Sequence, residues 1–377
     1  MSSPPRIVHV GHYDPQAMDG VIATIVGQCE GLAALGTTLE IWTFQPGIAQ
    51  VSESKTESGI PVFFLPRYKN PFLAAIKAPR KTTEWIGTRL PEIQLFHLHS
   101  VFSPHNNFLG KLGIPYVVTP NGGWSDSVIH GRREALKKLW ISLFEKKLWK
   151  NARFVQAVSV LEATQLGRLT GMGKVIHLPN GVCSIDVSQC SRFESRDIWL
   201  FLGRLALQQK GLDTLLEAYA QFVGAVADAP KLIIAGPDFR GDLLLLQRQI
   251  ERLGIGDKIE LPGPLRGVEK KRVWDRAQLF LHPSRWEGMP LTILEALGHG
   301  VPCLISPQTG LGEWIENNEA GWMVEATISE MAKIFEQIHR DRKTLAVRAK
   351  NAATAVHRDY SWDSITQALL AQYKHIL

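Results

Sequence analysis

Short apolar runs alternate with longer stretches of helical periodicity through the first half of the chain. The apolar runs are typical of buried strands and lie at residues 6–11, 38–44, 61–66, 95–100, 115–120 and 153–159. Helical patterns separate them at residues 21–36, 83–90, 132–150 and 160–168. This alternation predicts βαβ units, and therefore a mainly parallel sheet that is covered by helices on both faces.

A stretch of serines and charged residues at 184–197 interrupts this rhythm, and we interpret it as a linker. Beyond it the alternation begins again. Strands are predicted at 198–205, 231–237, 258–263, 279–284 and 301–306, with helices at 212–226, 242–253 and 269–276 and one more that opens at Pro290. Because 377 residues exceed what one core usually supports, we expect two domains, at 1–183 and 198–360. Each would be a doubly wound, Rossmann-like α/β domain, and the two would face each other across a cleft at the carboxyl ends of their sheets.

Positive charge is concentrated in the first domain. Residues 1–183 contain 19 of the 42 Lys and Arg residues but 12 of the 36 Asp and Glu residues, a net charge of +7 against −1 for the remainder. Such an imbalance indicates an anionic partner, which is a nucleic acid, a membrane or a substrate. No RNA-binding aromatic sequence and no DNA-reading helix-turn-helix stands out, so we expect no nucleic acid.

The basic charge is densest at residues 133–150, a predicted amphipathic helix. Its apolar face lies between lysines and consists of Leu136, Leu139, Trp140, Leu143 and Phe144. An apolar face of this width favours a surface helix that docks on a sheet. The alternative is a helix that lies on an anionic bilayer.

The overall composition, 45% hydrophobic and 21% charged, is that of a globular protein. The N-terminal sequence has no charged leader before a long apolar stretch, and no later segment approaches 18 uninterrupted apolar residues. We expect a cytoplasmic protein, whose contact with a membrane would be peripheral and on its inner face. The four cysteines have neither CxxC nor Cys/His spacing, so we expect buried thiols and no structural zinc.

Two cations follow the first strand of the second domain, in the loop sequence GRLALQQKG. Arg204 and Lys210 lie there, and Gly203 and Gly211 lie beside them. A pyrophosphate suits such a loop, because Arg binds it through two N–H groups, Lys supplies a point charge, and the next helix directs N–H groups nearby. Two solvated surface charges are the alternative interpretation.

The loop after the first strand, HYDPQAMDG, ends in Asp19 and Gly20 just before a predicted helix. Gly20 would allow the backbone to approach an anion at the N-terminus of that helix. The loop is not GxGxxG, and no GxxxxGK[ST] sequence occurs in the chain, so neither a dinucleotide fingerprint nor a P-loop is present.

Two carboxylates flank the apolar run in WEGMPLTILEAL, residues 286–297. If Pro290 is the first helical residue, Glu287 precedes the helix and Glu295 lies within it, so the two acids must face different partners. With the two cations they fit a nucleotide diphosphate sugar, because one carboxylate can bind the hydroxyls of the sugar and the other those of the ribose. Free N–H groups at the helix start would bind sugar oxygens or phosphate, and they belong to Gly288, Met289, Leu291 and Thr292.

The chain resembles the retaining glycosyltransferases of family 4, which have the GT-B fold. The resemblance covers nearly the whole chain. Its specific segments are GRLALQQKG, LPNGV, IIAGP, LPGPL and above all HPSRWEGMPLTILEALGHGVPCLIS, with two glutamates separated by seven residues. It implies that a final helix, within residues 361–377, crosses back to the first domain.

By this resemblance the second domain binds the donor. Glu287 would hold the donor sugar, Glu295 the ribose, and Arg204 with Lys210 the diphosphate. Gly203 would adjoin the diphosphate, Gly263 and Leu265 would border the base, and Gly20 would approach the phosphates from the other domain.

The resemblance also implies retention of anomeric configuration, with no metal and no other cofactor. The chain contains no Asp-x-Asp sequence, which agrees with side-chain cations in place of a divalent ion. Arg204 and Lys210 would then stabilise the charge that develops on the leaving diphosphate.

The first domain is expected to bind the acceptor. His99 matches a position that the family places near the reacting sugar, although a lone strand histidine is more often a satisfied core residue. Asn121, followed by Gly122, stands where the family commonly has a histidine before the glycine. Asp19 stands where it has a glycine. We expect Asp19, Asn121 and Gly122 to contact the acceptor.

The sequence thus predicts an enzyme that moves a sugar from a nucleotide diphosphate sugar to a hydroxyl of a saccharide, in polysaccharide or glycolipid biosynthesis. The basic first domain suits a lipid-linked acceptor, which is anionic and displayed at a membrane surface. Two alternatives stay open at this point: a nucleotide-sugar 2-epimerase of the same architecture, and a non-catalytic protein that binds a saccharide or a nucleotide.

Overall fold

The computed structural model describes residues 5–14, 20–124, 129–130, 133–170, 173–183 and 193–377. Chain contacts divide it into two compact units. The first comprises residues 1–181 and 362–377, and the second comprises residues 182–361.

The first unit is built on a sheet of eight strands. These are β1 (Arg6–Val10), β2 (Thr38–Pro46), β3 (Ser52–Lys55), β4 (Pro61–Arg67), β5 (Leu95–His99), β6 (Tyr116–Thr119), β7 (Val155–Ala157) and β8 (Val175–His177). Its helices before the second unit are α1 (Gly20–Ala34), α2 (Pro71–Ile76), α3 (Arg80–Arg89), α4 (Pro104–Leu109), α5 (Glu134–Trp140), α6 (Lys146–Asn151) and α7 (Val160–Thr170). A 3-10 turn at Leu90–Glu92 follows α3, and a π-helical turn at Ile141–Glu145 joins α5 to α6.

The strand order of this sheet is β3-β4-β2-β1-β5-β6-β7-β8, and all neighbours are parallel except β3 and β4. Alternate residues of β1 enter the two cores of the unit: Ile7 packs on one face, and Val8 and Val10 pack on the other. The predicted parallel sheet is therefore confirmed. The antiparallel strand β3 was not predicted, because its sequence SESK is fully exposed and carries no apolar signal.

The helical segment from α5 to α6 packs only in part. Trp140 is buried, but Leu136, Leu139 and Leu143 are 57%, 48% and 53% exposed. The six-residue helix α2 covers one edge of this face, where Phe72 packs against Trp140 and Phe144. The segment does join the core of the unit, as expected of a surface helix that docks, but it does so through Ile141, Leu148 and Trp149. The prediction that the leucines of the apolar face dock is wrong.

The second unit has strands β9 (Ile198–Leu202), β10 (Lys231–Ala235), β11 (Ile259–Gly263), β12 (Ala277–His282), β13 (Cys303–Ile305) and β14 (Gly321–Met323). Its helices are α8 (Leu212–Ala225), α9 (Asp242–Leu253), α10 (Gly267–Arg276), α11 (Leu291–Gly298), α12 (Gly312–Asn317), α13 (Ile328–Arg340) and α14 (Arg342–Tyr360), with 3-10 turns at Gly256–Lys258 and Pro307–Thr309. All strands are parallel, in the order β11-β10-β9-β12-β13-β14. This order is that of dinucleotide-binding sheets, so both units are α/β domains of the predicted class.

The end of the predicted linker belongs to the packing of the second unit. Phe193 joins its core, and the Arg196 guanidinium donates to the carbonyl oxygens of Ala277, His299 and Gly300. Residues 184–192 lie outside the described residues.

The last helix, α15 (Trp362–Ile376), returns to the first unit and packs on α1. Glycine permits the close approach, since a Cβ on Gly27 would lie 2.3 Å from the Trp362 ring. No helix among the described residues combines the length and the apolar composition needed to cross a bilayer. Cys29 and Cys303 are buried as expected, whereas Cys183 is exposed because it follows the last strand of the first unit in a loop; Cys190 lies outside the described residues.

Candidate functional site

Two loops meet at the carboxyl end of the sheet of the second unit, one after β9 and the other after β12. The amide of Arg285 donates to the carbonyl of Gln209 over 2.8 Å. Gly211 has φ +64, and a Cβ there would lie 2.2 Å from the carbonyl oxygen of Pro283, so only glycine allows this approach. The two loops therefore place Lys210 next to Glu287.

Lys210 and Glu287 form a buried ion pair. The Lys210 ammonium donates to Glu287 Oε1, and the two side chains are only 9% and 10% exposed. His282, the last residue of β12, places Nε2 at 3.3 Å from the same oxygen. One carboxylate thus has two nitrogen partners at the edge of a parallel sheet.

The protonation states of this cluster follow from its burial. Burial lowers the pKa of His282, so its ring is neutral at neutral pH and can donate one N–H to Glu287. Burial alone would raise the pKa of Glu287, but the charge of Lys210 and the bond from His282 hold that pKa below its usual range. Glu287 is therefore a carboxylate, and it neutralises the lysine beside it.

Glu295 lies in α11 and faces a different partner. Lys270 of α10 places its ammonium 2.8 Å from the Glu295 carboxylate, and both side chains are about one-third exposed. The prediction that the two glutamates face different partners is confirmed. Lys270 was missed, because nothing in the sequence KKRVWDR distinguishes it from an ordinary surface lysine.

Arg204 follows β9 but takes no part in the ion pair of Lys210. Its side chain is exposed, and its guanidinium lies 5.0 Å from the centre of the Phe239 ring. The guanidinium thus packs on an aromatic ring at the carboxyl end of the same sheet. This packing leaves its N–H groups able to donate hydrogen bonds. Phe239 carries no sequence signal that would have predicted this contact.

Three glycines end the neighbouring strands β9, β10 and β11. The amide of Gly203 donates to Ala235, and the amide of Gly236 donates to Gly263. A Cβ on Gly236 would lie 1.8 Å from the carbonyl oxygen of Gly203, so this residue must be glycine. Backbone atoms rather than side chains therefore line the ends of these three strands. Leu265 is buried just beyond them.

Helix α11 begins at Leu291, one residue later than predicted, and Thr292 follows in its first turn. Pro290 stands at the capping position and offers no side-chain hydrogen bond to the first turn. The positive end of the helix dipole therefore lies close to Glu287 in the chain. Gly288 is half-buried and Met289 is buried in the loop before the helix.

Three histidines lie on one face of the first sheet. His9 of β1 is paired in register with His97 of β5, and His99 lies two residues further along β5. All three are buried, and one ring nitrogen of each lies within 4.8 Å of the others. Burial lowers the pKa of His9 to about 3 and the pKa of the other two well below the usual value, so all three rings are neutral.

The tautomers of His99 and His9 follow from their partners. The Asn121 amide nitrogen donates to the carbonyl of Thr119 over 3.2 Å, and it lies 3.4 Å from His99 Nδ1. Because that nitrogen can only donate, Nδ1 of His99 accepts, and Nε2 carries the proton. His99 Nε2 then donates to His9 Nδ1 over 3.1 Å.

A second chain of hydrogen bonds runs through His97. Gln156 Nε2 donates to Leu178, so Gln156 Oε1 accepts from the Thr119 hydroxyl over 3.0 Å. Thr119 Oγ1 must then accept from His97 Nε2 over 2.6 Å, and His97 Nδ1 accepts from the Tyr373 hydroxyl of α15 over 2.5 Å.

The two chains use every ring nitrogen of the three histidines except His9 Nε2, which has no partner among the described residues. A metal ion with ligands from all three would have to break bonds to Asn121, Thr119 or Tyr373. We therefore interpret the cluster as a neutral hydrogen-bonded network.

Other predicted acceptor residues adjoin this network. Asn121 has a left-handed φ of +54, and the amide of Gly122 donates to a carboxylate oxygen of Glu162 over 2.6 Å. Gly20 is the exposed first residue of α1. Asp19 lies outside the described residues.

Two family models match the chain and together span most of it. The Glycosyltransferase Family 4 model matches residues 18–183, and the Glycosyl transferases group 1 model matches residues 187–355. The chain belongs to the group 1, family 4 glycosyltransferases. The boundary between the two matches lies close to the division between the two units.

Members of the family resemble the chain over different lengths. An uncharacterized glycosyltransferase of Methanocaldococcus jannaschii is 29% identical over 176 residues, which cover 46% of this chain and only 44% of that relative. Alpha-monoglucosyldiacylglycerol synthase of Acholeplasma laidlawii is 21% identical over 365 residues, which cover 89% of this chain and 88% of the synthase. HepE of Anabaena, solved in complex with UDP and glucose, has a TM-score of 0.76 at 16% identity and covers 98% of this chain and 100% of its own. The chain has the GT-B fold that such glycosyltransferases share.

Proposed function

We propose that the protein is a retaining glycosyltransferase that moves a sugar from a nucleotide diphosphate sugar to a hydroxyl of a saccharide acceptor. The observation that carries the proposal is the buried pair of Lys210 and Glu287 at the carboxyl end of a parallel sheet. This edge is where doubly wound sheets bind nucleotides. The complex of HepE with UDP and glucose supports a donor of this class.

In this proposal the donor exchanges partners with the ion pair. A diphosphate offers Lys210 more negative charge than Glu287 does, so the lysine turns to the phosphate oxygens. Glu287 is then released to accept hydrogen bonds from the hydroxyls of the sugar. Glu295, on its separate side of α11, accepts from the ribose, and Gly263 and Leu265 border the base.

During transfer, the bond between the anomeric carbon and the diphosphate oxygen breaks, and its electron pair leaves with the nucleotide diphosphate. The acceptor oxygen bonds to the anomeric carbon from the same face, and its proton passes to the leaving phosphate. Lys210 and Arg204 stabilise the developing negative charge, together with the N-terminal end of α11. These positive groups are the basis for proposing that the reaction needs no metal.

The first unit is proposed to bind the acceptor through His99, Asn121 and Gly122. Both ring nitrogens of His99 have protein partners, and the bond from Asn121 is the longer of the two at 3.4 Å. Rotation of the Asn121 amide would release His99 Nδ1 as an acceptor for a sugar hydroxyl. Asn121 can itself bind a hydroxyl in that position, although it cannot transfer a proton.

A lipid-linked acceptor is proposed from an exposed surface of the first unit. We name this surface the apolar patch, and it consists of Phe72, Ile76, Leu136, Leu139 and Leu143, all exposed. Exposed lysines flank it at positions 77, 138, 146, 147 and 150. An exposed apolar face with exposed lysines in the same helical segments suits the interface of an anionic bilayer, where the acceptor would be displayed.

The test is ligand-dependent stabilisation followed by transfer. The intact chain is heated with UDP, GDP, ADP and their sugar derivatives, and a ligand at 100 times its Kd should add about 2.7 kcal/mol to the free energy of unfolding. The stabilising sugar nucleotide is then incubated with saccharide and lipid-linked acceptors, and product is detected by mass spectrometry. Stabilisation by none of these ligands would contradict the proposal, and binding without transfer would leave a nucleotide-binding protein.

A further inference from the structure

Glu145 is a buried carboxylate in the π-helical turn between α5 and α6. Its Oε1 accepts from the Phe102 amide over 3.0 Å and from the indole of Trp140 over 2.9 Å, and its Oε2 accepts from the indole of Trp149 over 3.1 Å. Phe102 lies in the loop that follows β5, three residues after His99. The carboxylate thus connects this loop to the helical segment that carries the apolar patch.

Glu162 holds the neighbouring loop in the same way. It is buried in the first turn of α7, and its two oxygens accept from the amides of Gly122, over 2.6 Å, and Val158, over 2.8 Å. Ser159 accepts from the Glu162 amide over 3.1 Å, so the sequence SVLE has the spacing of a capping box. One oxygen of Glu162, however, accepts from Gly122 in the loop after β6.

Both loops have strained backbone. Ser100, Phe102 and Asn121 have φ values of +66, +56 and +54, and none of them is glycine. Such conformations persist only where surrounding contacts determine them, and they concentrate at functional sites. The Asn106 amide nitrogen adds such contacts, since it donates to the carbonyls of His99 and Ser100 over 3.1 and 3.2 Å.

A carboxyl group is required at both positions, because both of its oxygens accept from N–H groups and neither is replaced by an N–H donor. A glutamine would turn its NH₂ group toward one of these donors, which would leave that N–H without an acceptor. A buried carboxylate carries a desolvation cost that an apolar residue would avoid. Two such groups, one at each strained loop, therefore indicate a role beyond packing.

We infer that Glu145 and Glu162 are positioning residues that hold the loops at residues 100–103 and 121–123 on either side of His99, so that the acceptor meets preformed backbone. The inference rests on the proposed function, because it assigns these loops to the acceptor. Neither glutamate touches a substrate in this scheme, and both act through the backbone that they hold.

The experiment compares Glu145→Gln and Glu162→Gln with Glu40→Gln. Glu40 is the matched control, because it is a buried glutamate of the same unit whose two oxygens also accept, from Arg6, Arg89 and the indole of Trp42, none of which belongs to these loops. In the loop variants, kcat/KM for the acceptor should fall, by up to about 10²-fold, since a displacement near 1 Å can have this effect. KM for the donor should change less than about twofold, because the lost interactions hold only the loops assigned to the acceptor. Glu40→Gln should alter neither value.

Hydrogen exchange provides a second readout that needs no activity. Glu145→Gln should accelerate exchange at residues 100–103 and leave residues 121–123 unchanged, and Glu162→Gln should do the reverse. If a glutamine variant does not fold, Glu145→Asp or Glu162→Asp, which keep both acceptor oxygens, replace it and should show smaller effects of the same kind.

Equal kinetic losses in all three glutamine variants, or unchanged loop exchange, would overturn the inference. If the wild-type chain transfers no sugar, the proposed function fails, and exchange alone then decides whether the two glutamates hold the loops.

Discussion

Lys210 and Glu287 lie 77 residues apart in the chain and form a buried ion pair at the end of the second sheet. Each charge is removed from water and compensated by the other, so neither residue can be changed without consequences for its partner. Under the proposed function, a bound diphosphate would replace Glu287 as the partner of Lys210.

We predict that Lys210→Ala lowers both activity and stability. Transfer should fall by about 10²-fold or more, because a cation at the leaving diphosphate is lost. The free energy of unfolding should fall by about 3–5 kcal/mol, because Glu287 is left as an uncompensated buried charge. Kinetics and urea unfolding of the same preparations measure the two effects.

The matched control is Lys231→Ala, which removes the lysine of an exposed pair with Glu260 in the same unit. Its effect on stability should be below about 1 kcal/mol, and transfer should be unchanged. The double variant Lys210→Met/Glu287→Gln should recover stability without activity. Full activity in Lys210→Ala would contradict the role assigned to the lysine.

The sequence predicted the residue types at this site but not the contact between them. The apolar runs of a sheet that is buried on both faces are strong signals, which is why the two parallel sheets were predicted. The direct pairing of Lys210 with Glu287 depends on two loops that Gly211 brings together, and no local pattern carries that information. Lys270, the partner of Glu295, was missed for the same reason.

We predict that the apolar patch binds anionic membranes. The triple variant Leu136→Gln/Leu139→Gln/Leu143→Gln should bind vesicles of phosphatidylglycerol at least about tenfold more weakly, since a buried leucine contributes about 1.5–3 kcal/mol. Sedimentation at low salt measures binding. The charge of the protein is unchanged in this variant, so any loss reports the apolar contribution.

The control for the patch is Leu244→Gln/Leu245→Gln, which changes two exposed leucines of α9 in the second unit. It should bind vesicles like the wild type. Equal binding of the patch variant and the control would exclude this surface as the docking site.

We predict that Tyr373→Phe lowers the stability of the first unit and leaves that of the second unit unchanged. It removes the hydroxyl that donates to His97 and leaves a buried acceptor without a partner, which costs about 1–3 kcal/mol. Hydrogen exchange in β5 and β6 should accelerate. Tyr219→Phe, which removes a buried hydroxyl that donates to Pro230, should accelerate exchange in the second unit instead. The same pattern in both variants would contradict the assignment.

The hydrogen-bond partners of the three histidines cannot be predicted from the sequence of one strand. His99 was singled out because its position matches the family, whereas His9 and His97 look like ordinary strand residues in the sequence. Their tautomers follow only from partners on β6, β7 and the last helix, and these partners meet through the fold. In the same way, Glu145 lies in a sequence that is typical of a surface helix, but its side chain is buried in the π-helical turn.

We predict a pH dependence of stability from Glu162. Burial raises its pKa to about 7, so the folded protein retains a proton that the unfolded chain, with an ordinary pKa of about 4.3, has already released. The contribution of Glu162 to stability should therefore fall as pH rises from about 4 to 7 and stay constant above that range.

Urea unfolding of the wild type and Glu162→Gln between pH 4 and 8 isolates this term, because the other titrating groups are shared. The difference in free energy of unfolding, wild type minus variant, should decrease with rising pH. A constant or increasing difference would show that the carboxyl is not perturbed in this direction.

The return of α15 to the first unit has a consequence for synthesis of the chain. Residues 182–361 are contiguous, so the second unit has its complete sequence while the ribosome is still adding the last helix. The first unit starts earlier in the chain but must wait for α15, whose Trp362 packs against Gly27 and whose Tyr373 lies in its core and donates to His97. The unit that is synthesised first is therefore the one that completes its fold last. A polypeptide that ends before α15 would lack part of the core of the first unit.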